Sequence, residues 1–86
     1  MALTKLRTAY DGRIRYVLGF ENDAIWVYRY SMLSGDRIPY TDGTFSKQVM
    51  VADEADIDFF QGTLVVDNGI AGTYTSIDSG DTWVAR

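Results

Sequence analysis

Between Arg13 and Phe20, apolar and polar side chains alternate: Ile14, Tyr16, Leu18 and Phe20 share one face, and Arg13, Arg15, Val17 and Gly19 the other. A period of two is the signature of a strand with one covered face. Ala24 to Met32 repeats it, with Trp26, Tyr28, Tyr30 and Met32 on one face and Ile25, Val27, Arg29 and Ser31 on the other. A helix would scatter these groups around its axis, so a second strand is expected. Asp11-Gly12 and Glu21-Asn22-Asp23 supply turn chemistry on either side of the first run. With a further strand over Leu3 to Tyr10, residues 1–33 are predicted to form an N-terminal meander. Its most aromatic face is expected to supply the core.

The centre of the chain is less regular. Ser34-Gly35-Asp36 and Tyr40-Thr41-Asp42-Gly43 bracket Pro39, the only proline, and predict a loop or irregular edge. Thr44 to Val51 reads as a strand, the alternative being a short helix capped by Ser46. After the acidic turn Asp53-Glu54-Ala55-Asp56 come short β-rich runs, Ile57 to Phe60, Thr63 to Val66 and Gly72 to Ile77, separated by Gln61-Gly62 and Asp67-Asn68-Gly69. The fold class expected is all-β: a small antiparallel sheet or meander in a single domain over residues 1–86.

The last turn is the most specific stretch, Ser76-Ile77-Asp78-Ser79-Gly80-Asp81-Thr82-Trp83. Asp78 can fold its carboxylate back onto turn N–H groups, and Gly80 can take the positive φ of a tight connection. Thr82 and Trp83 are then expected to restart a strand, with the indole over the turn. The stretch resembles the Asp box, or bacterial neuraminidase repeat, Ser/Thr-x-Asp-x-Gly-x-Thr-Trp/Phe, at every defining position, and residues 57–86 resemble one blade of an Asp-box propeller. The resemblance implies a structural role for Ser76, Asp78, Gly80, Thr82 and Trp83 in a C-terminal hairpin away from any active site. A closed propeller takes at least about four blades. No second box occurs in residues 1–56, so the expectation is either a small fold with a blade-like half or several chains completing a ring.

Composition narrows the function. The 86 residues contain no cysteine and no histidine, which removes the Ser-His-Asp and Cys-His catalytic arrangements. No phosphate-binding glycine loop occurs. The acidic run Asp53, Glu54, Asp56, Asp58 lacks the glycine and distal glutamate of a calcium loop, and neither metal nor cofactor is expected. The small ribonucleases that share an Asp-box-like hairpin, and the sialidases, use residues this chain does not supply. The first residues have no long apolar run, so neither a leader nor a membrane span is expected. A net charge of −4 disfavours nucleic acid as a partner.

That total hides an asymmetry. Residues 1–47 carry seven basic and five acidic side chains, whereas residues 48–86 carry Arg86 against seven acids. Copies with one basic and one acidic half are complementary head to tail. Arg13, Arg15 and Arg29 are expected as a basic strip opposite the aromatics, and Trp26, Tyr28 and Tyr30, if exposed, as a contact surface. These features point to a non-enzymatic structural protein working through protein–protein contacts with other subunits, as a homo-oligomer or larger assembly. By analogy with blade-like segments of phage structural proteins, it is expected to be a tail, neck or decoration subunit of a bacteriophage virion made in the host cytoplasm. The alternatives are a carbohydrate-binding module with a glycan on the aromatic strand, or an acidic inhibitor protein of the cytoplasm.

Overall fold

The computed structural model describes residues 3–86; Met1 and Ala2, the start of the segment expected to lack a leader, lie outside the described residues. The chain is all-β, with two four-stranded antiparallel sheets built one after the other. The first contains β1 (Thr4–Tyr10), β2 (Ile14–Glu21), β3 (Ala24–Ser31) and β4 (Ser46–Met50), in that order. The second contains β5 (Asp56–Phe60), β6 (Thr63–Asn68), β7 (Gly72–Ser76) and β8 (Val84–Ala85). Residues 4–50 thus form a four-stranded meander of their own, beside the one that the blade-like pattern over 57–86 suggested. Ser46 begins a strand, not a helix, because Lys47 and Gln48 pair with Val27 and Trp26.

Local chemistry closes the hairpins. Asn22 and Asp23 both adopt positive φ between β2 and β3, as do Gln61 and Gly62 between β5 and β6; two such residues match the twist of the flanking strands. Asp11 Oδ1 accepts the N–H groups of Arg13 and Ile14, and Asn68 Oδ1 those of Ile70 and Ala71. Burial alone would raise the Asp11 carboxyl, but these donors and the Tyr16 hydroxyl hold it below its ordinary value.

One core lies between the sheets. The first contributes Tyr16, Leu18, Ile25 and Val27, all fully buried, and the second contributes Ile57, Leu64 and Val66. The backbones of the two sheets approach most closely at their first strands, β1 and β5.

The face of β3 turned to this core reverses the expectation. Ile25, Val27 and Arg29 point inward, while Trp26, Tyr28 and Tyr30 remain half-buried on the far side. Register decides this. Leu18 pairs with Val27 and Tyr16 with Arg29, which places even positions of β2 beside odd positions of β3. The small aliphatic groups therefore join Leu18 inside, and the three aromatics share the outer face with Arg15, Val17 and Gly19.

Candidate functional site

The Ser76–Trp83 turn joins β7 to β8 and is built on two side chains. Ser76 Oγ donates to Asp78 Oδ1 at 2.7 Å and accepts the Gly80 N–H at 2.9 Å. Asp78 Oδ1 also accepts the Thr82 N–H at 2.9 Å, and Asp78 Oδ2 accepts the Thr82 hydroxyl. Burial by itself would raise the Asp78 carboxyl; the Thr82 hydroxyl and N–H, with Ser76, outweigh it and hold the group down to about 2. Gly80 has φ +86°, and an added Cβ would stand 3.6 Å from both Leu64 and Trp83 and 3.8 Å from Tyr40. Trp83 packs against the core from the edge, and its indole N–H is buried without an acceptor among the described residues. Strand β8 begins one residue after it.

A related spelling, Ser31-Met32-Leu33-Ser34-Gly35-Asp36, follows β3. There Ser31 Oγ accepts the N–H groups of Leu33 and Ser34, while the Gly35 N–H reaches the Ser31 carbonyl. Leu33 stands where Asp78 stands in the second turn and offers no acceptor for a residue farther on.

Arg29 ties the two sheets together. It is only 7% exposed. Its guanidinium donates to the carbonyls of Ser79, in the Ser76–Trp83 turn, and of Pro39, in the β3–β4 connection. It also lies 4.0 Å from the Tyr40 ring centre and 3.9 Å from an Asp81 carboxylate oxygen. Asp81 in turn accepts the Thr41 N–H, and Tyr40 donates its hydroxyl to the Val27 carbonyl. Burial raises the Tyr40 phenol well above the ordinary range and the Tyr16 phenol to about 12, so both stay neutral donors. Arg29 is therefore not part of an exposed strip; its buried charge meets these partners at the two terminal nitrogens, while Nε is buried without an acceptor among the described residues.

Of the remaining predicted contact residues, Arg15, Trp26, Tyr28 and Tyr30 lie together on the solvent face of the first sheet. Cross-strand register builds a row Tyr10–Arg15–Tyr30–Arg37, the last pair through an isolated bridge. Beside it runs Thr8–Val17–Tyr28–Ser46, and then Gly19–Trp26–Gln48. Trp26 donates its indole N–H to the Glu21 carbonyl at 2.8 Å. Arg13 is exposed in the β1–β2 turn. A concavity of about 250 Å³, lined by Arg15, Tyr30, Ser31, Met32 and Gly35, opens at one end of this face. At the other end Leu3 and Leu6 lie over Gly19, whose missing side chain makes the room.

The solvent face of the second sheet differs in kind. Asp58 pairs with Val65, Val65 with Thr75, and Thr75 with Val84; Asp56 pairs with Asp67, and Phe60 with Thr63. Phe60 is 65% and Val84 55% exposed. The acidic C-terminal composition foretold the sign of this face. The Arg37 end of the aromatic row carried no such signal, because Arg37 lies in a segment with no strand periodicity.

Among the described residues, no group of three acidic, histidine or cysteine side chains is placed to hold a metal ion. Asp56 of the acidic run pairs instead with Arg7 at 3.3 Å. No helix in the described residues is long and apolar enough to cross a membrane. Compared with family models, with curated proteins and with solved structures, the chain matches none.

Proposed function

We propose that this chain is a non-enzymatic assembly protein that acts through protein–protein contacts with further copies of itself. The observation that carries this reading is the solvent face of the first sheet, where Tyr10, Trp26, Tyr28 and Tyr30 stand among Arg15 and Arg37. Aromatic residues and arginine are what protein interfaces concentrate. The acidic and apolar face of the second sheet offers a complementary surface on the same chain. A bacteriophage virion subunit is the particular form that the Asp-box resemblance supports.

Absolute mass by size-exclusion chromatography with light scattering, at low and high salt, tests the reading. The expected result is a discrete multiple of 9.7 kDa that loosens as salt screens the charges. A mass of 9.7 kDa at every concentration overturns it. So does tryptophan emission that shifts on adding glycans to such a monomer, which would make the aromatic face a carbohydrate site.

A further inference from the structure

The two sheets present unlike faces to each other, and hydrogen-bond direction reveals it. On β3 the core-facing residues turn their backbone groups toward β4: the Arg29 carbonyl accepts from Ile38, and the Ser31 N–H donates to Asp36, in the segment that pairs on that side. On β7 it is the solvent-facing residues that turn their backbone groups toward the last strand, β8. The Thr73 carbonyl, beside exposed Asp67, accepts from Arg86 at the β8 edge. For an L-residue in a strand, the face its side chain occupies fixes the side toward which its N–H and C=O point. The first sheet seen from the core and the second seen from solvent therefore show the same strand order. The sheets pack face to back.

A face-to-back step leaves one unused surface of each kind. The solvent face of the second sheet corresponds to the core face of the first, and the solvent face of the first corresponds to the core face of the second. We propose that these two surfaces bind each other between copies: the solvent face of the second sheet receives the solvent face of the first sheet of the next chain, and repetition closes a ring. This deepens the assembly reading above and rests on it. The charges agree, since Arg15 and Arg37 lie on one surface and Asp58 and Asp67 on the other. Apolar groups agree too, with Val17, Tyr28 and Tyr10 opposed to Val65, Val84 and Phe60. Closest approach of the sheets at β1 and β5 gives the wedge shape a ring needs, and the Ser76–Trp83 turn with Arg29 and Tyr40 fills its wide side. Heterologous contacts close when the rotation permits. Propellers hold about four to eight sheets, so two to four chains complete one.

The absence of cysteine makes the contact directly testable. Thr8→Cys labels the first-sheet surface and Thr63→Cys the second-sheet surface, and among the described residues neither hydroxyl is engaged in a hydrogen bond. Packed sheets lie about 10 Å apart, within the span of a short bismaleimide. A mixture of the two single variants is expected to give covalent dimers, and either variant alone none. The double variant is expected to give a ladder ending at the ring number, two to four. As a second measurement, Arg15→Asp should lower the assembled fraction at least severalfold, and Arg15→Asp with Asp58→Arg should restore it. If either single-cysteine variant cross-links with itself, the contact joins like faces and the head-to-tail ring is overturned, while an oligomeric mass leaves the assembly reading standing. A monomer at every concentration, its aromatic face left to a glycan or a foreign protein, overturns both.

Discussion

Replacing Arg29 by Met tests the packing logic most severely. Methionine keeps an apolar stem of similar length and loses the guanidinium. The Ser79 and Pro39 carbonyls would each lose a charged donor, Asp81 its nearby cation and Tyr40 its stacked partner. Hydrogen bonds to charged groups contribute about 1.5–3 kcal/mol each, and breaking a buried pair by removing one member costs about 3–5 kcal/mol. Relief from desolvating the guanidinium offsets part of this. The expected loss is about 3–5 kcal/mol, a large share of the roughly 4–13 kcal/mol available to a chain of this length. Urea unfolding followed by tryptophan fluorescence at one fixed protein concentration measures it, with an expected midpoint shift of about 2–4 M. Arg29→Lys retains the charge without the planar fork and should lose about half as much. A loss below about 1 kcal/mol for Arg29→Met would show that the guanidinium does not hold the Ser76–Trp83 turn against the first sheet.

Three further perturbations probe the same architecture. Trp83→Ala should cost about 2–4 kcal/mol, less than a fully buried tryptophan because the ring packs at the edge of the core, and a wild-type melting midpoint would contradict that packing. Asp78→Asn removes a carboxyl held at about 2 against an ordinary 3.8. Because the folded value is depressed, its stabilisation is present above pH 4 and is lost as pH falls toward 2; after discounting for exposure it is about 1 kcal/mol. The gap between wild type and variant should therefore close on acidification, and a gap independent of pH would exclude the charge as its cause. Gly19→Ala would bring a Cβ to 2.7 Å from Leu3 Cβ. It should cost about 1–3 kcal/mol and accelerate hydrogen exchange in β1 more than in β6; equal protection in both strands would show that Leu3 moves aside freely.

Much of the fold was legible because its signals are local. Alternation over Arg13 to Phe20 and Ala24 to Met32 marked β2 and β3, Asp-Gly and Asn-Asp marked the turns on either side of β2, and Gln-Gly marked the turn between β5 and β6. The hydrogen bonds of Asp78 and the positive φ of Gly80 likewise involve residues at most four apart. The contact face was harder to assign. Arg29 looked exposed and the β3 aromatics looked interior, because charge and size are ordinarily good guides to burial. A partner for Arg29 fifty residues away, the Ser79 carbonyl, has no trace in any local pattern.

Strand periodicity, turn chemistry and the division of charge between the two halves follow from the sequence alone, since each depends on neighbours along the chain. Which face of β3 is buried, how Arg29 is neutralised, and that the sheets pack face to back were decided only in three dimensions. A period of two names two faces without choosing between them. The choice belongs to a one-residue register between β2 and β3 and to the second sheet, which closes over whichever side that register leaves aliphatic.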